Sequence, residues 1–212
     1  MQERTAMVVM VKYPRPGSVK TRLGRQTGME NAARLYREFV RIQLETCRAT
    51  GFDTVISCHP GQPVSGYREW LGPGFQYMVQ RGPDLGAKMR DVFEQGFALG
   101  YGRVILTGSD LPHLPGAVIE EAAHKTGMCD VVIGPALDGG YYLVAMKKDR
   151  FCPEMFDDIP WSTADVLNIT LEKLAAGQRR SCLLRPLRDI DTLADLQAVS
   201  AETGLIFQVS NP

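Results

Sequence analysis

A cluster of cations follows the first apolar run of the chain. Residues 12–22 hold four cations, two prolines and a glycine, directly after the uninterrupted apolar run at residues 6–11. Such a run is typical of a strand buried on both faces of a sheet, and ligands of open α/β sheets bind where these strands end. Backbone amides left free by Gly17, together with the neighbouring cations, can bind anions. The segment therefore predicts a phosphate-rich ligand. The cations are Lys12, Arg15, Lys20 and Arg22.

An alternative explanation of residues 12–22 is a solvated surface loop whose charges maintain solubility. Its position argues against this, because the end of a buried strand beside rigid prolines is a costly place for like charges. The loop has no second glycine before Lys20, so it is not a Walker A motif, and it does not match the G-x-G-x-x-G fingerprint. Neither a P-loop ATPase nor a nicotinamide enzyme is therefore indicated.

Two aspartates near predicted element boundaries are candidate metal ligands. Asp110 follows the predicted central strand 103–107, where a carboxylate could hold Mg²⁺ or Mn²⁺ and bridge it to phosphates. Asp191 is the candidate second ligand. Both have structural alternatives: Asp110 can bond its own turn before Pro112, and an acid beside Thr192 can serve only the last helix.

Two glycine-containing segments carry candidate binding residues. One opens a predicted helix and consists of Asp84, Leu85 and Gly86; the glycine there would let a nucleobase edge approach the backbone. The other offers flexible glycines beside an aromatic platform for a sugar-like acceptor, and consists of Asp138, Gly139, Gly140 and Tyr141. An ordinary hairpin turn with Asp-Gly chemistry is the alternative explanation of the second segment, and the pattern alone favours it slightly.

Composition limits the class of protein. The 212 residues are enough for one domain, expected to span 1–212, and the 24 basic residues are balanced by 24 acidic ones. A neutral chain argues against a nucleic-acid partner. We expect no signal peptide and no membrane span, and hence a soluble cytoplasmic protein.

Cysteines and histidines give little support for a metal site of their own. The five cysteines are widely spaced without a C-x-x-C pair, which predicts buried thiols in a reducing cytoplasm. The histidines have no spacing suited to a metal or a triad and are expected to be structural or exposed; they are His59, His113 and His124. No serine lies in a G-x-S-x-G motif.

Strand-like and helix-like segments alternate along the chain. The patterns predict strands at 6–11, 53–58, 75–80, 103–107, 130–134, 141–146 and 181–185. They predict helices at 29–50, 64–71, 84–100, 115–125, 163–176 and 192–202, with an irregular segment at 151–162. This alternation is typical of a three-layer α/β/α fold around a mostly parallel sheet.

Six motifs, taken together, resemble one family: residues 12–23, 84–86, 108–112, 134–142, 159–163 and 189–192. The chain is similar to the bacterial glycosyltransferase-like group of the nucleotide-diphospho-sugar transferase (GT-A) superfamily. It resembles, more distantly, the phospholactate and molybdenum-cofactor guanylyltransferases. The resemblance covers roughly residues 6–196 and implies the GT-A fold.

The resemblance also implies a placement of ligands. Donor phosphates are expected at Lys12, Gly17, Lys20 and Arg22. The base and ribose are expected near residues 84–86, and a divalent ion at Asp110 and Asp191. The segment 159–163, with Trp161, is expected to close over the acceptor. Asp110 is followed by Leu111 and Pro112 rather than by an Asp-x-Asp pair, which is closer to the nucleotidyltransferase pattern.

The residues and the resemblance together therefore indicate three alternative functions. The first is a metal-dependent transferase that moves a group from a nucleotide-activated donor to a small acceptor, with Lys20 and Asp110 as catalytic residues acting mainly by electrostatic stabilisation. The second is a nucleotidyltransferase that releases pyrophosphate from a nucleoside triphosphate. The third is a non-catalytic nucleotide-sugar sensor with the same fold.

Overall fold

The computed structural model describes residues 3–209 and contains one seven-stranded sheet. The strands are β1 (Thr5–Val11), β2 (Asp53–Cys58), β3 (Gln76–Val79), β4 (Arg103–Thr107), β5 (Val131–Pro135), β6 (Tyr141–Lys147) and β7 (Ser181–Leu183). Their order across the sheet is β3-β2-β1-β4-β6-β5-β7. Only β6 runs antiparallel to its neighbours within the described residues, so the sheet is mostly parallel as predicted.

Seven α-helices connect or flank these strands in the described part of the chain. They are α1 (Thr21–Thr27), α2 (Met29–Ala49), α3 (Val64–Leu71), α4 (Leu85–Ala98), α5 (Gly116–Lys125), α6 (Val166–Ala176) and α7 (Leu193–Thr203). Two short 3₁₀ turns occupy residues 148–150 and 153–156. Across residues 3–209, no helix combines the length and the apolar character needed to cross a membrane.

Helices cover both faces of the sheet. One buried cluster packs α2, α3 and α5 against one face, with Tyr36, Tyr67 and Ile119 among its largest members. A second cluster packs α4 and α6 against the other face, centred on Phe93. A smaller third cluster joins α1 and α7 to the outer side of α2 around Phe39. The predicted three-layer α/β/α arrangement is therefore confirmed.

Most predicted elements are present with small shifts at their ends. β2, β4 and α3 have the predicted bounds, and β5 and β6 are antiparallel neighbours, as expected of a hairpin. Helix α1 is absent from the prediction, because the prolines and cations of residues 12–22 indicate a single loop. Lys20 adopts a left-handed backbone (φ 47°, ψ 44°), and the chain becomes helical directly after it. The predicted loop is thus two residues too long.

The prediction that all cysteines are free thiols is wrong for one pair. Cys129 and Cys182 form a disulfide with a Cα–Cα distance of 5.9 Å, which joins β7 to the residues just before β5. Parallel pairing of β5 and β7 places the two side chains within bonding reach, although 53 residues separate them. The three free cysteines, Cys47, Cys58 and Cys152, are buried as expected.

Candidate functional site

A cleft of about 750 Å³ lies at the carboxyl ends of the central strands. Its wall includes residues that follow β1, β2 and β4, the start of α4, and the segment before α7. Open α/β folds bind their ligands at this end of the sheet. The volume is in the range of small-molecule sites.

Lys20 lies in the wall of this cleft, between the two predicted metal ligands. Its Nζ is 2.7 Å from Oδ1 of Asp110 and 2.9 Å from Oδ1 of Asp191. The Lys20 side chain is only 3% exposed, whereas the carboxylates of Asp110 and Asp191 are 42% and 39% exposed. Residues 90 and 171 positions apart in sequence therefore converge on one ammonium group.

Backbone geometry brings these three residues together. Lys20 caps α1 in the left-handed region, which costs about 1 kcal/mol for a residue other than glycine. The amide of Ile190 donates to the carbonyl of Asp110 at 3.2 Å, which fixes the segment before α7 against the loop after β4. Thr192 and Asp195 form a capping box at the start of α7, just beyond Asp191.

The charge of Lys20 is maintained by its neighbours. Burial lowers the pKa of the Lys20 ammonium, but Asp110 and Asp191 outweigh burial, so the pKa lies above its ordinary value. Arg22 adds a weaker contact, 3.5 Å from Oδ2 of Asp191, and its side chain is exposed. Lys20 is thus a permanently charged group held by two carboxylates.

Asp189 also lines the cleft, although it is not among the site residues predicted from the sequence. Its Oδ1 is buried and has no hydrogen-bond partner among residues 3–209. Burial is the main reason that the pKa of Asp189 rises to about 7, followed by repulsion from Asp110 and Asp138. The sequence could have indicated Asp189, because it is two residues before the predicted ligand Asp191. Residues two apart in an extended segment face the same side.

The raised pKa predicts how stability depends on pH. Between about pH 4 and pH 7 the native protein holds a proton on Asp189 that the unfolded chain releases, so native stability falls as pH rises through this window. We expect Asp189→Asn to gain stability relative to the parent as pH rises from 4.5 to 8, by at most about 3 kcal/mol.

Denaturant unfolding in EDTA, at several pH values, measures this difference. Asp149→Asn is a matched control, because Asp149 is an exposed carboxylate on the 3₁₀ turn at the opposite end of the sheet. A difference between parent and Asp189→Asn that stays constant from pH 4.5 to 8 would contradict the assignment.

Tyr36 of α2 connects the two loops that form the centre of the site. Its buried hydroxyl lies 2.7 Å from Oγ of Ser109 and accepts a hydrogen bond from the Lys12 amide at 3.0 Å. Gln43, about two helical turns further along α2, donates to the carbonyl of Gly108 at 2.7 Å. Helix α2 therefore fixes the loops after β1 and β4 relative to each other.

The candidate acceptor residues are only partly in the cleft. Asp138, Gly140, Tyr141 and Trp161 line it, and the rings of Tyr141 and Trp161 meet edge to face at 6.1 Å. Asp138 accepts a hydrogen bond from the Gly140 amide at 3.0 Å, as in an ordinary Asx turn. Gly139 faces the 161–166 segment instead: its φ is +92°, and a Cβ there would overlap the carbonyl oxygen of Ala164.

The segment at the start of α4 packs against residues 156–161. Asp84 caps the helix by accepting from the Ala87 amide at 2.8 Å, and Leu85 lines the cleft. Gly86 is buried, and a Cβ there would overlap the Phe156 carbonyl oxygen and lie 2.7 Å from Nε1 of Trp161. Its missing side chain therefore makes room for the 156–161 segment.

The predicted phosphate loop is also less uniform than expected. Gly17, with φ +77°, lies in an exposed turn and does not line the cleft, and Arg15 hydrogen-bonds to Gln62. Lys12, Lys20 and Arg22 do line it. His59, expected to be structural or exposed, lies in the cleft wall as well.

The acids of the cleft fit a divalent cation. Mg²⁺ is usually held by one or two carboxylates together with substrate phosphates, and Asp110 and Asp191 offer such a pair. No group of three or more acidic, histidine or cysteine side chains in residues 3–209 forms a metal cage without a substrate.

Solved structures with the same fold span nearly the whole chain. A protein from Desulfovibrio desulfuricans G20, provisionally named a nucleotide-diphospho-sugar transferase, is 39% identical, with a TM-score of 0.91 over 95% of this chain and 88% of that chain. A nucleotidyl transferase from Methanothermobacter thermautotrophicus is 15% identical, with a TM-score of 0.60 over 94% and 97% of the two chains. Rv0371c from Mycobacterium tuberculosis H37Rv, solved with manganese, is 15% identical, with a TM-score of 0.54 over 93% and 98%.

Sequence comparison assigns the family. No curated protein sequence matches this chain. Residues 42–163 match the family model described as "Uncharacterized protein conserved in bacteria", which covers more than half of the chain and includes Asp110, Asp138 and Trp161. The chain therefore belongs to the DUF2064 family, and its fold is that of the nucleotide-diphospho-sugar transferases.

Proposed function

We propose that this protein is a metal-dependent transferase that moves a group from a nucleotide-diphospho-sugar to a small acceptor. The observation that carries the proposal is the convergence of Lys20, Asp110 and Asp191 in one cleft at the carboxyl ends of β1 and β4. Likeness to the Desulfovibrio protein, at 39% identity, supports the donor class.

The acids would hold the metal, and the cations would hold the phosphates. Asp110 and Asp191 are the proposed ligands of Mg²⁺ or Mn²⁺, and the manganese complex of Rv0371c supports a divalent ion for this fold. When bound, the ion would neutralise charge on the donor pyrophosphate. Lys20 is the proposed catalytic cation, with Lys12 and Arg22 beside the donor phosphates.

The acceptor is assigned to the part of the cleft wall that contains Tyr141 and Trp161. Tyr141 and Trp161 present ring edges and faces next to the backbone of Gly140 and the carboxylate of Asp138. Aromatic faces beside a carboxylate suit a polyhydroxylated molecule, because the rings cover its apolar face and the acid accepts hydroxyl hydrogen bonds.

A second candidate function is nucleotidyl transfer, in which the nucleoside triphosphate loses pyrophosphate. The observation that favours it is the sequence after Asp110, where Leu111 and Pro112 replace the second acid of an Asp-x-Asp pair. The likeness to the Methanothermobacter nucleotidyl transferase concerns the fold and is compatible with this reaction.

Product identity separates the two reactions. We expect the purified protein with Mg²⁺ to release a nucleoside diphosphate from a nucleotide sugar when acceptors are screened with a panel of nucleotide sugars. Release of pyrophosphate from nucleoside triphosphates would select the second function. Beforehand, thermal stabilisation by each nucleotide with Mg²⁺ identifies the base, since a ligand that binds only the native state raises the melting temperature. If no nucleotide stabilises the protein, the proposed function is wrong.

A further inference from the structure

The cleft has a second group of cations that the acids near Lys20 do not compensate. Lys12 directly follows β1, and His59 directly follows β2; these strands are parallel neighbours, and the His59 amide donates to the Val11 carbonyl at 2.9 Å. Lys88 lies in the first turn of α4. All three side chains line the cleft.

Neither lysine of this group has an acidic partner. Among residues 3–209, no carboxylate forms an ion pair with Lys12 or Lys88. Asp84, one helical turn before Lys88, instead accepts a hydrogen bond from the Ala87 amide. Both lysines lie close enough to His59 to lower the pKa of its imidazole, after the larger contribution of burial.

The cations of the cleft therefore differ in how far their charge is compensated. Lys20 and Arg22 form ion pairs with Asp110 and Asp191. The ammonium groups of Lys12 and Lys88 also line the cleft but form no ion pair within residues 3–209. A cation whose charge is already compensated attracts a phosphate less than a free one, because the carboxylates repel the incoming anion.

We propose that Lys12, His59 and Lys88 form a second phosphate subsite, which shares Lys12 with the donor phosphates of the proposed function. A phosphate dianion matches two ammonium groups in charge, and neutral imidazole adds one hydrogen bond. The subsite would hold the end of a ligand that extends through the cleft away from the metal.

Two ligands could supply this phosphate. One is the polyphosphate arm of the donor nucleotide, and the other is a phosphate monoester on the acceptor. This inference rests on the proposed function for the choice of these two ligands, but the binding of phosphate at Lys88 does not require a metal. It can therefore be tested apart from the reaction.

Calorimetric titration in EDTA, with sodium pyrophosphate and with glycerol phosphate, tests the subsite. We expect the protein to bind at least one of the two probes and Lys88→Gln to lower that affinity about tenfold. The matched control is Lys148→Gln, since Lys148 is an exposed cation on the 3₁₀ turn at residues 148–150, and it should bind like the parent. Lys88 is partly exposed on α4, so its replacement should leave the thermal midpoint unchanged.

The outcomes separate the possibilities. Tighter binding of pyrophosphate indicates the donor arm, and tighter binding of glycerol phosphate indicates a phosphorylated acceptor; both support the subsite. Binding by Lys88→Gln that equals the parent, or no binding of either probe by the parent, overturns it. Asp110→Asn should retain this metal-free binding, so a failure of the subsite and a failure of the proposed function are distinguishable.

Discussion

Replacing Asp110 by asparagine is expected to reduce turnover at least about 100-fold and to weaken Mn²⁺ binding by a similar factor. The amide would keep the size of the side chain but lose the charge that attracts a divalent ion. In the native protein this carboxylate is 42% exposed and faces the cleft beside Lys20. A metal can therefore reach it directly.

Electron paramagnetic resonance of Mn²⁺ gives a readout that does not depend on knowing the substrate. The control is Asp149→Asn, at the other end of the sheet, which should bind Mn²⁺ like the parent. Asp110→Asn with normal turnover would remove Asp110 from the mechanism. A protein that binds nucleotides but has no turnover, before or after the change, would instead be the sensor considered as the third function.

Lys20→Met is expected to abolish turnover and to destabilise the apo protein by about 2 kcal/mol at pH 7. Methionine fills the space of the buried stem but leaves Asp110 and Asp191 without their shared cation. Breaking a fully buried ion pair costs about 3–5 kcal/mol, and the value expected here is smaller because both carboxylates are more than a third exposed.

Urea unfolding at pH 7 measures the stability change. Lys125→Met is the control. Lys125 pairs with Glu121 one helical turn away at 2.7 Å, and such a pair contributes less than about 1 kcal/mol. Equal losses of stability in the two variants would show that Lys20 and its two carboxylates stabilise the protein no more than an ordinary surface ion pair does.

Most of the fold is predictable from the sequence because the apolar runs and glycine stops are local signals. The predicted bounds of β2, β4 and α3 agree with the structure. The hydrophobic pattern within each of these segments is enough to predict it. Helix α1 is not predictable in this way because it has only seven residues and follows a non-glycine residue with positive φ. The disulfide depends on the pairing of β5 with β7, which no local pattern contains.

The site is predictable where functional residues and element boundaries coincide. Asp110 and Asp191 each lie at the end or the beginning of a regular element, and the structure brings both to Lys20. The prediction for Gly86 depends on its own neighbours, whereas its lack of a side chain is explained by Trp161, 75 positions later. Contacts of that kind arise from packing between distant segments, so sequence spacing does not indicate them.

The left-handed backbone at Lys20 has a consequence for binding. Because α1 begins immediately after this residue and two carboxylates hold its ammonium group, both the backbone and the side chain are fixed before any ligand arrives. The free-energy cost of holding Lys20 in this conformation arises during folding, so it does not reduce the affinity for a ligand. An incoming anion therefore meets an ammonium group whose position is already fixed by the main chain, so the side chain does not have to find its rotamer during binding.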